Sequence, residues 1–372
     1  MLFNYTYITH DIEKLQGYLD FLFTDVWLFA EGDFHASKLD KNKELYDIYL
    51  ELDKVDFDPE NAKKNEKGKS AYFFNSSIEK IYKAFADVND DAFKLELIDY
   101  YSNNNNIEQI CRDPKLPVLT YDDLKSKEAN LHKELKAFYG NLYGSESPFN
   151  LSDFGSLKTK LLPTHYKEFF SSNKKGKCPF CGIRDLKGIH HTKKEAYDHY
   201  IPKGNYPFNS INFKNLAPMC NDCNSSYKGT KSIIGTTTNR NKAFYPYSNS
   251  HPAITDFKIT IDLNSNDIIN LKPKDLDLKI ESFGFDEEIE AWQRVFAIDE
   301  RYKALLCNES EGITWFTSII DGYNTAKALG STLTKEQYLE SQIIDAKHIP
   351  LSSYGFIKSV FLEKCELMGL FR

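Results

Sequence analysis

The stretch Asn215-Leu216-Ala217-Pro218-Met219-Cys220-Asn221-Asp222-Cys223-Asn224-Ser225-Ser226-Tyr227-Lys228 decides how the middle of this chain folds, and it is read together with Cys178-Pro179-Phe180-Cys181-Gly182. The two C-x-x-C pairs are separated by 38 residues. Each pair is a knuckle whose turn aims two thiolates at one ion, and two knuckles complete the tetrahedral shell that Zn²⁺ takes in structural sites. Four sulfur ligands leave no position open for water, so zinc held by Cys178, Cys181, Cys220 and Cys223 would staple the fold rather than catalyse. The plainer alternative is that one pair is only buried thiols. Cys111, Cys307 and Cys365 bring the total to seven and have no partner at metal spacing, so they read as ordinary thiols. Met1-Leu2-Phe3-Asn4-Tyr5 lacks the basic-then-apolar pattern of a signal peptide, and no run reaches the ~18 apolar residues of a membrane span. The expectation is a soluble, cytoplasmic chain whose paired cysteines hold metal rather than form disulfides.

Outward from the knuckles the sequence turns helical. A chain of 372 residues is long enough for two domains or more. Over 11–29, Ile12, Leu15, Leu19, Leu22, Phe23 and Val26 recur at three- and four-residue intervals, which builds one apolar helical face. Residues 39–52, 70–85, 91–101 and 121–139 continue the pattern. The charged stretch 56–69, with Pro59 and Gly68, reads as a linker, and the asparagine run 103–106 as a loop. Gly, Ser, Asn and Pro crowd into 140–156, which reads as a boundary. Beyond Pro252, residues 257–263 and 276–280 alternate as strands do, and 287–306, 313–328, 335–346 and 355–368 return to helical spacing. The division expected is a helical domain over 1–145, a module over 158–245, and a mainly helical region with a short β segment over 253–372.

The net charge of −7 hides an uneven distribution. Residues 158–245 hold 16 Lys and Arg against 5 Asp and Glu, and the remainder holds 31 against 49. A basic island in an acidic protein suits nucleic acid, because phosphate binding is driven by counterion release onto Lys and Arg. A solvated lysine-rich surface is the plain alternative. The island contains only two arginines, Arg184 and Arg240, which leans against base readout and toward sequence-tolerant phosphate contacts.

Inside the island, Tyr197-Asp198-His199-Tyr200-Ile201-Pro202 precedes Asn215-Leu216 and then Cys220-Asn221-Asp222-Cys223-Asn224, with Lys228 four residues on. Asp-His-x-x-Pro, Asn-Leu and Cys-x-x-Cys-Asn-x-x-x-Lys together resemble the HNH endonucleases of the ββα-metal fold. That resemblance covers about 175–235. It implies an α+β protein, mainly helical, with an embedded ββα-metal module stapled by the four-cysteine zinc. It further implies Asp198 and Asn224 as ligands of a catalytic divalent ion, Mg²⁺ or Mn²⁺, His199 as general base, and Asn215 as the residue that orients the His199 loop. An Asn stands where the family's last His is usual, making an H-N-N variant with a more oxygen-rich ion site.

The chemistry suits these residue types. A neutral imidazole removes a proton from the attacking water, a hard ion stabilises the phosphorane and the leaving oxygen, and Lys228, one helical turn after Asn224, is placed to hold a phosphate oxygen. His190 and His191, in a segment read as extended, point opposite ways, so at most one faces the site. His251, after Phe244-Tyr245-Pro246-Tyr247, is a candidate for the substrate groove, against a packing role for those aromatics.

The function expected is a metal-dependent DNA endonuclease of low sequence specificity. The alternatives are a non-catalytic zinc-stapled nucleic-acid-binding module and an effector subunit controlled by a protein partner. The plan of a small HNH core within helical extensions is similar to nucleases of bacterial antiphage systems, including those partnered by an ATPase, and a homo-oligomer would allow double-strand cuts. The charge pattern makes one quantitative prediction. Affinity for duplex DNA should fall by on the order of a thousand-fold between about 50 and 200 mM salt if some six phosphates are contacted. A fluorescence-anisotropy salt titration with a flat slope would contradict phosphate-dominated binding.

Overall fold

The computed structural model describes residues 1–57 and 65–371. The first half is helical. A short turn at Asp11–Glu13, capped by the His10 side chain, leads into α1 (Lys14–Phe21), which runs on as a wider coil over Leu22–Trp27. There follow α2 (Lys43–Asp53), α3 (Glu66–Ala86), α4 (Asp91–Asn105), α5 (Ile107–Arg112), α6 (Tyr121–Lys127) and α7 (Ala129–Asn141). Asn42, Asn65, Asp90, Asn106 and Thr120 each accept an orphan N–H of the first turn that follows, which sets where α2 to α6 begin.

Capping corrects two expectations. The linker read over 56–69 is already helix from Glu66, because Asn65 Oδ1 accepts from Gly68 N–H at 2.8 Å. Its central part, residues 58–64 with Pro59, lies outside the described residues. The run 103–106 is not a loop: Asn103–Asn105 complete α4 and Asn106 caps α5. The stretch 140–156 folds back onto the helices, with Phe149 and Phe154 packed against Phe74 at ring separations of 6.2 and 4.8 Å.

In the basic region, α8 (Leu162–Ser172) precedes a two-stranded antiparallel sheet of β1 (Ala196–His199) and β2 (Leu216–Met219). The register sets Asp198 opposite Ala217 and His199 opposite Leu216. A helical segment, Asp222–Lys228, follows β2 directly. It is wound as a π-helix, with Gly229 N–H reaching back five residues to Asn224 O at 2.9 Å. Tyrosine hydroxyls satisfy carbonyls of β2: Tyr247 donates to Leu216 O at 2.5 Å and Tyr5 to Pro218 O at 2.8 Å.

The last third pairs β3 (Lys258–Leu263) antiparallel with β4 (Leu276–Glu281) and packs α9 (Asp286–Phe296), α10 (Ile298–Leu306), α11 (Gly312–Ala328), α12 (Lys335–His348) and α13 (Gly355–Leu367) around them. The single helix expected over 287–306 is two. Ala297, at φ 49°, sits in the left-handed region and ends α9 by donating to Gln293 O. The protein is thus mainly helical with two small antiparallel sheets. Among the described residues no helix is long and apolar enough to cross a membrane.

A buried histidine ties α8 to β1. His165 Nδ1 lies 2.6 Å from the Tyr197 hydroxyl, and burial, with His10 nearby, pushes its pKa down to about 4. The native state therefore binds fewer protons than the unfolded chain between about pH 6.5 and 4, so His165 favours folding above that window and its contribution is lost as pH falls through it. The full loss is on the order of 3 kcal/mol. Urea unfolding at pH 7 and pH 5 should show a smaller acid destabilisation in His165→Phe than in wild type. The difference between the two proteins separates this effect from acid loss of zinc.

Candidate zinc and catalytic centres

The sequence separates the two knuckles, and the fold joins them. Each turn is tightened by its own backbone: in the first, Gly182 N–H donates to Cys178 O at 2.7 Å with Gly182 at φ 72°. A Cβ on Gly182 would lie 2.5 Å from Leu2 Cδ2, so glycine is needed both for conformation and for the close approach of the N-terminal segment. All four cysteines are buried, and their sulfurs lie within 4.8 Å of one another. Zinc–sulfur bonds of about 2.3 Å imply sulfur–sulfur edges of about 3.8 Å, so the cluster fits a tetrahedral ion with small adjustment. Cys111 and Cys365 are buried and Cys307 half-buried, and none belongs to the cluster.

The C-terminal helices grip this cluster. Trp292 Nε1 on α9 donates to Phe180 O at 2.7 Å, and the Tyr302 hydroxyl on α10 donates to Cys181 O at 2.9 Å. Arg301 is buried, places Nη1 3.2 Å from Cys223 Sγ, and stacks on the Tyr227 ring at 4.4 Å. Burial disfavours the Cys181 thiolate. Even so, contacts from the other three cysteines and the Arg301 charge hold its pKa well below the ordinary thiol value. Sequence reading missed Arg301, because a lone arginine in a helical run carries no metal signature.

The second centre lies where β1 ends. His199 Nε2 is 2.8 Å from the Ser210 carbonyl. A carbonyl only accepts, so Nε2 carries the proton and Nδ1 keeps its lone pair. Among the described residues no protein group hydrogen-bonds Nδ1. Burial above all, then Lys203 and Lys228, pushes the imidazole pKa down to about 3 against the opposing pull of the Ser210 carbonyl, so the ring is neutral. Asn215 is fully buried and clasps Ile201, accepting from its N–H at 2.8 Å and donating to its carbonyl at 2.9 Å. The middle Asn thus holds the backbone two residues after His199.

Asp198 is buried, and burial raises its pKa while Lys228 lowers it. Lys228 Nζ lies 2.9 Å from Asp198 Oδ2 and donates to His199 O at 3.0 Å, with its side chain only 1% exposed. This corrects the expectation that Lys228 reaches a phosphate oxygen: its amine is enclosed between Asp198 and the His199 backbone. Lys228 is the cation paired with Asp198, and among the described residues no other protein donor bonds its carboxylate. Asn224 is half-buried, its amide has no protein partner among the described residues, and it lies nearly one turn before Lys228 on the same segment. One carboxylate and one amide oxygen are donors that fit a hard ion such as Mg²⁺ or Mn²⁺, with Lys228 offsetting part of the carboxylate charge.

Two further neighbours were not legible in the sequence. The Tyr143 ring stands edge-on to His199 at 5.1 Å, and Lys203 donates to Gly140 O at 3.1 Å and Tyr143 O at 3.3 Å, which holds the end of α7 beside the imidazole. His190 and His191 do not lie in an extended segment. Both are exposed on a turn closed by His191 N–H to Gly188 O. His251 packs between Phe244 and Phe257 and donates from Nδ1 to Pro252 O, a packing position rather than an open groove. Lys158, Lys160, Lys174, Lys175, Lys193 and Lys194 are exposed. The two arginines of the island are engaged, Arg184 with Asp222 at 2.6 Å and Arg240 with the carbonyls of Ile110, Asp113 and Leu116.

No family model matches the chain, and no solved structure does. Over 91 residues, 24% of its length, the chain is 36% identical to Protein ea31 of Escherichia phage lambda. The match spans 27% of that protein, so the chain covers only about a quarter of this relative.

The Arg301 contact predicts a measurable change in metal retention. Groups that bond a ligand atom typically tune affinity 10–100-fold. Arg301→Met should therefore release zinc to a chromogenic chelator at roughly ten-fold lower chelator concentration or less, and Arg301→Lys should recover part of the loss. Equal retention in all three proteins would reduce Arg301 to a packing partner of Tyr227.

Proposed function

We propose that this protein is an HNH-type endonuclease that hydrolyses DNA phosphodiester bonds, with a structural zinc at the four cysteines and a divalent ion, Mg²⁺ or Mn²⁺, at Asp198 and Asn224. The observation that carries this reading is the state of His199: a neutral imidazole with one nitrogen fixed on a carbonyl and the other without a protein partner among the described residues, adjoining a buried carboxylate whose charge is paired by Lys228. A structural histidine in a strand bonds through whatever partners packing offers. This one has its free lone pair unshared at the end of β1, next to the ion-pairing residues of the following helical segment.

On this reading Nδ1 of His199 accepts the proton of the attacking water while Nε2 stays on Ser210 O. The low pKa makes the imidazole neutral but weakly basic in the free protein. An arriving phosphate brings negative charge beside Lys203 and Lys228, counters their effect on the ring, and raises its basicity when substrate is present. Asn215 keeps the 199–201 backbone from moving as charge develops. A divalent ion bound by Asp198 and Asn224 would stabilise charge on the phosphorane and the departing oxygen. Exposed lysines of 158–194 supply phosphate contacts. With Arg184 and Arg240 engaged by protein groups, low sequence specificity is consistent with the side chains on offer.

The deciding test is supercoiled-plasmid nicking in EDTA, Mg²⁺ and Mn²⁺ with wild type and His199→Ala, each shown to retain one zinc. Nicking by wild type only with added ion, and a 10²–10⁴-fold lower rate in the variant, is the expected result. DNA binding by both proteins with cutting by neither would leave a zinc-stapled nucleic-acid-binding module as the function. A structured RNA run in parallel tells which nucleic acid is cut.

A further inference from the structure

We propose that Phe208 and Asn104 are positioning residues for His199, and that the helical region thereby sets the orientation of the general base from outside the ββ-helix unit. This deepens the nuclease reading and rests on it for its catalytic meaning. The contact itself does not.

The connection between β1 and β2 is a loop in which residues 206–213 are all buried. Loops ordinarily stay at the surface, because their backbone polar groups need partners. Here the partners are asparagine amides. Asn104 is fully buried and donates to Leu119 O at 2.8 Å and Pro207 O at 3.3 Å, while accepting from Leu119 N–H at 3.0 Å. Asn209 donates back to Asn104 O at 3.4 Å, and Asn212 donates to Asn105 O at 2.9 Å. The last turn of α4 is in this way stitched to the segment on both sides of Ser210, whose carbonyl receives the His199 Nε2 proton.

Phe208 supplies the second restraint. Its φ of 81° is a conformation that residues with a side chain rarely adopt, and no glycine is used there. Its ring is completely buried among Phe23, Tyr101 and Tyr139 at 5.1, 5.0 and 5.5 Å, one from the coil continuing α1, one from α4 and one from α7. The unfavourable backbone persists because the ring is held. That backbone turns the chain two residues before Ser210, so release of the ring frees the carbonyl to leave Nε2. An anchor of packing alone would not need a positive φ at a phenylalanine two residues before the carbonyl that fixes the imidazole.

The experiment reads the contact and the catalysis separately. In protein labelled with ¹⁵N at histidine ring nitrogens, wild type should give an exchange-protected Nε2–H proton signal that is absent from His199→Ala. Phe208→Met, which keeps an adaptable apolar side chain in the pocket, should retain it. Phe208→Ala should lose it while keeping one zinc and wild-type helix content, and its kcat for plasmid nicking should fall at least ten-fold with KM for DNA unchanged. If Phe208→Ala loses zinc or helix content, Asn212→Ala is judged by the same two readings. A Phe208→Ala protein that keeps both the proton signal and kcat overturns the proposal, as does a wild type that cuts DNA without any protected proton on His199. A wild type that shows the signal, loses it in Phe208→Ala and cuts nothing supports the positioning contact and overturns the nuclease reading instead.

Discussion

Four sulfur atoms within 4.8 Å of one another govern the geometry of the rest of the molecule. The second knuckle lies between β2 and the Asp222–Lys228 segment, so fixing Cys220 and Cys223 fixes the end of one and the start of the other. Antiparallel register then places β1, and with it Asp198 and His199. The first knuckle faces the opposite way, to Leu2, Trp292 and Tyr302, which bind its backbone from both ends of the chain. Four buried cysteines with a guanidinium beside them make little sense as an apolar core, since the buried Arg301 charge finds a counter-charge there only where a thiol ionises. With an ion bound, the excess negative charge of four thiolates is what Arg301 offsets. Metal affinity is then also folding energy for the segments that meet there.

How much of this could be read beforehand depends on whether the information is local. The knuckles, β3 and β4 were legible because spacing and alternation are written in a few consecutive residues, whereas β1 and β2 were expected only through the resemblance. The asparagine run 103–106 was misread because asparagine favours loops and caps for the same reason, a short side chain that bonds backbone. Which of the two it does depends on neighbours, here Leu119, Pro207 and Gln109. The break at Ala297 was invisible, because alanine is the strongest helix former and tertiary packing overrides it. In the candidate catalytic centre, residue types were legible and partners were not. Nothing in the sequence links His199 to the carbonyl of Ser210, or Tyr143 to the imidazole, since both depend on where a buried loop and the end of α7 come to rest.

The acidic and basic parts of the chain are not independent bodies joined by linkers. Arg240 of the basic island closes the C-terminal end of α5, Lys203 closes that of α7, and Lys242 pairs with Glu287 of α9. Cations at helix C-termini meet unsatisfied carbonyls and the negative end of the helix dipole, so part of the island's charge is structural. The field available to a polyanion is therefore carried by the exposed lysines around α8 and the first knuckle, a smaller set than the composition suggests.

The pairing of Lys228 with Asp198 has the furthest consequence for chemistry. Burial pushes the Asp198 carboxyl up, and the ammonium at 2.9 Å pulls it back toward the ionised form. The same ammonium weakens the attraction that Asp198 offers a second cation. With His199 neutral and Asn224 uncharged, the four residues together carry no net charge, so on the nuclease reading they would hold a divalent ion only loosely by themselves. A phosphate oxygen entering the site adds the missing negative charge. Ion and substrate would then strengthen each other's binding, a coupling that is reciprocal by linkage. On the nuclease reading, Lys228 favours the ionised carboxylate in the resting protein, and the nucleic acid itself would complete the site.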